Sequence, residues 1–106
     1  MPVGPTLHIL SGQQEGRQIA VFTASLTIGR AIDNAPWDLS LHDNAVSRPH
    51  AELVRQRDGT WAIIDLESSN GTQINDEYIE ANEPYPLKNG DEITLGYTVI
   101  RFELSE

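Results

Sequence analysis

"EITLGYTVIRFEL", residues 92–104, decides how the chain is read. Ile93 and Leu95 share one parity, whereas Ile100, Phe102 and Leu104 share the other. Side chains of a strand alternate between its two faces, so a strand cannot change its buried face without a bulge or a turn. The change falls at Gly96-Tyr97. The stretch therefore predicts a tight hairpin with two short, half-buried arms.

The same grammar extends outward. "TWAIIDL" (60–66) is apolar on both faces, as a buried strand is. "WDLSL" (37–41) alternates strictly, with Trp37, Leu39 and Leu41 on one face. "RQIAVF" (17–22) and "SLTIG" (25–29) are rich in β-branched and aromatic residues. Turn residues separate these pieces at Gly12–Gly16, Asp33-Asn34, Asp43-Asn44, Asp58-Gly59, Asn70-Gly71 and Asn89-Gly90. No window keeps apolar residues at helical spacing, and six prolines oppose long helices. The expectation is an all-β sandwich or barrel in one domain over residues 1–106, with its core about 6–104. In such folds loops gather at the ends and carry function. The loops of interest follow Gly29, precede His50 and follow Leu66.

Composition removes several classes of function. The chain has no cysteine, so disulfides, thiolate metal sites and cysteine nucleophiles are excluded. It carries 16 acidic against 7 basic residues, a net charge of -9. Duplex nucleic acid and anionic membranes are disfavoured partners, because both are bound through basic faces. No apolar run approaches the roughly 20 residues that span a bilayer, and the first ten residues lack the pattern of a signal peptide. A cytoplasmic location is expected, which empties the glycosylation match at Asn70-Gly71-Thr72 of meaning. His8, His42 and His50 lack metal-ligand spacing, so neither metal nor cofactor is expected.

Two chemical readings compete at "AVSRPHAELV" (45–54). Ser47 and His50 could be nucleophile and base, with Asp43 or Asp65 orienting the imidazole. No strained nucleophile elbow accompanies them, and Pro49 lacks a backbone N–H. The alternative makes His50 a buttress that bonds a nearby loop. "LESSNGTQIN" (66–75) reads first as an Asn-Gly hairpin turn. Its crowd of Ser68, Ser69, Asn70, Thr72 and Asn75 equally suits a loop ordered by side-chain bonds, or an amide presented to a ligand's main chain. Arg30 follows Gly29 at a strand end. If the three loops meet, Arg30, Ser47, Arg48 and Ser69 combine forked cationic donors with hydroxyls, an inventory suited to a phosphate.

"IGR", "VSRPHAEL", "DLESSNGTQIN" and "LKNGDEITLG", in that order, resemble a forkhead-associated domain from about Leu7 to Phe102. The resemblance implies a β-sandwich of about eleven short, mostly antiparallel strands, with binding loops at one end. It implies a non-catalytic module that recognises phosphothreonine-containing peptides or proteins in kinase signalling. Carried over by motif, Arg30 would hold the phosphate, Ser47 would bond it through hydroxyl and amide, and Arg48 would add a second cation. Ser69 would supply a further hydroxyl, and Asn70 would bind the peptide main chain. Gly29, His50 and Gly71 would shape the loops without touching phosphate. The chain departs from the family at Asp76, where a glycine often follows the asparagine, and at Ala35-Pro36-Trp37. The runner-up reading is a scaffold that uses the same sandwich for phosphate-independent protein contacts.

Overall fold

The structure is a computed structural model that describes residues 4–104. Eleven strands follow one another: β1 (Thr6–Ile9), β2 (Gln18–Ala20), β3 (Ser25–Arg30), β4 (Leu39–Leu41), β5 (Ala51–Arg55), β6 (Trp61–Asp65), β7 (Thr72–Ile74), β8 (Glu77–Tyr78), β9 (Tyr85–Pro86), β10 (Glu92–Leu95) and β11 (Thr98–Glu103). They form a six-stranded sheet, ordered β2-β1-β11-β10-β7-β8, and a five-stranded sheet, ordered β4-β3-β5-β6-β9. The β3–β4 pairing is parallel and the other strand pairings are antiparallel. No helix among the described residues is long and apolar enough to cross a membrane.

The hairpin expected at residues 92–104 is β10–β11. Leu95 pairs with Thr98 and Ile93 with Ile100, which leaves Gly96-Tyr97 as a two-residue turn. Gly96 has φ 62° and Tyr97 a negative φ, the sign pattern of a type II′ turn whose twist suits the strands. Ile93, Leu95, Ile100 and Phe102 fill the interior with Leu7, Ile9, Ile28, Leu39, Leu41, Leu53, Ile63 and Ile74. Leu104 departs from the pattern: β11 ends at Glu103, opposite Thr6 at the start of β1, so Leu104 lies beyond the sheet and is exposed.

Trp37 also departs from the expected face. Strand β4 begins only at Leu39, and Leu39 and Leu41 are buried. Ile28 points into the core, so the next position, Gly29, faces outward. The Trp37 indole lies over Gly29 there, and its Nε1–H donates to the Arg30 carbonyl at 3.0 Å. The free edge of β4 is closed by one side chain. The Gln14 amide donates to the Ser40 carbonyl at 3.0 Å and its oxygen accepts the His42 N–H at 2.9 Å. It thus imitates one residue of a neighbouring strand and ties the β1–β2 loop to this edge.

Candidate functional site

His50 is the hub of the loop end. It directly precedes β5, and its ring is fully buried. Its backbone N–H donates to the Ile28 carbonyl at 2.8 Å, and its carbonyl accepts the Leu66 N–H at 2.9 Å. Ring Nδ1 accepts the Ser47 N–H at 2.9 Å. Nε2 therefore carries the proton and donates to the Gly71 carbonyl at 2.9 Å. One imidazole thus joins the loop before β5 to the loop before β7. Burial lowers its pKa, partly opposed by the Gly71 bond and by the fields of Asp65 and Asp43.

The carboxylates weighed as orienting partners bond other groups. Asp43 accepts the Ala45 N–H at 2.9 Å, the Tyr97 N–H at 2.8 Å and the Thr98 hydroxyl at 2.7 Å. It fastens the loop before β5 to the β10–β11 turn. Asp65 accepts the Ser68 N–H and hydroxyl and the Thr72 hydroxyl. The Ser47 hydroxyl oxygen accepts the Ser69 N–H at 2.9 Å. Both ring nitrogens of His50 are committed to backbone groups, so Ser47, His50 and an aspartate do not form a relay.

The Asn70-Gly71 pair is not a hairpin turn, because β6 and β7 belong to different sheets. Residues 66–71 cross between the sheets, and the side-chain bonds to Asp65, Ser47 and Ala45 hold them. The Asn70 amide donates to the Ala45 carbonyl at 2.9 Å, which leaves its side-chain oxygen for a ligand N–H. Gly71 has φ 78°, and a Cβ there would stand 2.9 Å from the Tyr78 ring. At Gly29 a Cβ would stand 2.7 Å from the Trp37 indole. Both glycines are required by close approach, and Gly71 also by its backbone.

Arg30, Ser47, Arg48, Ser69 and Asn70 all line one open cleft of about 380 Å³. Arg30 is half-buried, and its Nη1–H donates to the Asn44 carbonyl at 3.2 Å. Its backbone N–H donates to the Ser47 carbonyl at 3.0 Å, which sets the strand end beside the serine loop. The Arg48 side chain is exposed. The Ser47 amide is committed to His50, so it is not available to a ligand; the hydroxyl proton is. The cleft presents guanidinium N–H groups and hydroxyls around one space, the donor set that a phosphate accepts.

The sequence reading overlooked other members of this end. Asn44 and Ala45 act through backbone carbonyls, which any residue supplies, so nothing in their side chains marks them. Trp37 buttresses Arg30 from the outer face. Glu67 also lines the cleft, an acidic residue that a sequence-level inventory of cations passes over.

Known proteins match this geometry. The FHA domain family model matches residues 26–96. The oxoglutarate dehydrogenase inhibitor of Corynebacterium diphtheriae is 33% identical over 96 residues, covering 90% of this chain and 62% of that protein. The glycogen accumulation regulator GarA of Mycolicibacterium smegmatis is 33% identical over 97 residues, covering 91% of this chain and 57% of that one. The chain thus spans less than two-thirds of these relatives' length. An FHA domain solved in a study of phosphothreonine-dependent FHA interactions superposes with a TM-score of 0.79 at 30% identity, covering 96% of this chain and 97% of that one. Mycobacterium tuberculosis EmbR, solved with a low-affinity phosphopeptide, gives 0.80 at 32% identity, covering 99% of this chain and 25% of that one. Two β-sheets whose loops converge on one arginine- and serine-lined cleft, together with a family match over residues 26–96, make this chain a member of the FHA domain family.

Proposed function

We propose that the chain, as one recognition domain over residues 1–106, binds phosphothreonine-containing proteins in cytoplasmic kinase signalling. The convergence of Arg30, Ser47, Arg48, Ser69 and Asn70 on one cleft carries this reading. Arg30 and Arg48 offset the two negative charges of the phosphate, and the Ser47 and Ser69 hydroxyls complete its donor shell. The Asn70 side-chain oxygen takes a main-chain N–H of the bound segment. His50 and the two glycines set the loops, and catalysis has no part in the reading, since His50 has no ring nitrogen left to remove the Ser47 proton. The FHA domain in the phosphothreonine study and the EmbR complex support the same ligand class.

The test is a titration with matched phosphorylated and unphosphorylated peptides. The phosphorylated form should bind far more tightly, and Arg30→Ala should weaken it by about 2–5 kcal/mol, as truncating one partner of a buried charge pair does. Equal affinity for the two peptides would favour the phosphate-independent scaffold instead.

A further inference from the structure

Glu67 is the one acidic residue among those that line the cleft. Among the described residues, the only acid–base contact within 4.0 Å joins His8 and Glu103, so the Glu67 carboxylate pairs with neither Arg30 nor Arg48. Instead it accepts the Asn82 side-chain N–H at 2.7 Å. Asn82 is itself anchored, its backbone N–H donating to the Asp65 carbonyl at 2.8 Å. Glu67 has φ 59°, a left-handed backbone that disfavours a residue of its size. A charged residue on a strained backbone, with its carboxylate held in place at the edge of a binding cleft, is the kind of outlier from which a role is inferred.

The electrostatics define what that role can be. An unpaired carboxylate beside a phosphate raises the energy of the complex, because both charges are negative. A cation placed between them turns that repulsion into attraction on both sides. The chain as a whole, at net charge -9, offers no competing preference for an acidic ligand.

We propose that Glu67 is a specificity residue that selects a basic side chain, lysine or arginine, flanking the phosphothreonine. This rests on the phosphothreonine reading of the same cleft. The Asn82 bond fixes one carboxylate oxygen and leaves the other for the incoming cation. Discrimination then has two parts: attraction of the basic side chain, and repulsion of phosphopeptides that carry none.

The experiment uses short alanine-based phosphothreonine peptides with lysine, glutamine or glutamate at each flanking position in turn. At one position lysine should bind about two- to fivefold more tightly than glutamine, the scale of an exposed charge pair, since Glu67 is exposed. Glu67→Gln should bring that ratio to about one while tightening the all-alanine phosphopeptide. A merely structural role would not produce this crossing of effects. Glu67→Gly should abolish the ratio in the same way while raising Tm, since it relieves the left-handed backbone. Absence of a lysine preference at every position overturns the proposal, and so does a preference that persists in Glu67→Gln. The latter would be an effect of net charge. The parent reading is judged separately, by the phosphorylated-to-unphosphorylated ratio of the alanine peptide. If that ratio is one, both readings fall; if it is large and the lysine ratio is one, only this proposal does.

Discussion

His50→Ala is the sharpest perturbation of the loop end. The substitution removes a fully buried imidazole that accepts the Ser47 N–H and donates to the Gly71 carbonyl, each at 2.9 Å. An unpaired buried backbone group costs about 1–3 kcal/mol, towards the low end here because Ser47 and Gly71 are only half-buried. Truncating a large buried side chain adds a cavity penalty of about 2 kcal/mol. Together these make a loss of about 3–4 kcal/mol, a large share of a typical domain's stability. Urea unfolding at neutral pH measures it directly. The pH dependence supplies a second reading. The folded pKa of His50 is lowered below 6.5 by burial, so between that value and 6.5 the unfolded chain binds a proton that the folded chain does not. Stability from this group is complete above 6.5 and declines as pH falls below it. The gap between wild type and His50→Ala should therefore narrow on acidification. A loss under about 1 kcal/mol, smaller than a single ordinary core truncation, would refute the reasoning, as would a gap that widens at low pH.

Three further substitutions test neighbouring claims. Gly29→Ala places a Cβ 2.7 Å from the Trp37 indole, so overpacking should destabilise by about 1–3 kcal/mol and shift Trp37 fluorescence towards that of a solvated indole. Asp76 has φ 71° in the two-residue β7–β8 turn, and Asp76→Gly should stabilise by about 0.5–1 kcal/mol, read as a Tm several degrees higher. Asp43→Asn puts an amide donor towards an N–H or hydroxyl that Asp43 now accepts, and should lose about 2–3 kcal/mol in urea unfolding.

The strands and the β10–β11 hairpin were legible in the sequence because alternation and turn chemistry are local. A parity change over a few residues must be absorbed where it occurs, and Gly96 supplies the positive φ that absorbs it. Five of the residues that line the cleft, Arg30, Ser47, Arg48, Ser69 and Asn70, could be singled out in the sequence because they bear their chemistry in their side chains. What the tertiary structure alone decided lies in partners far apart in the chain. Asp43 meets Tyr97 across 54 positions, and Asn70 meets Ala45 across 25. The Asn70-Gly71 turn became a crossing between sheets, because only the pairing of β6 and β7 with different neighbours separates them. Trp37 turned to the outer face, because β4 starts two residues after it and Gly29 leaves room for the indole. The Ser47 amide was claimed by His50, and Glu67 was carried into the cleft. Each of these outcomes depends on which donors and acceptors are left over when two sheets close on one core, and a one-dimensional pattern does not encode that remainder.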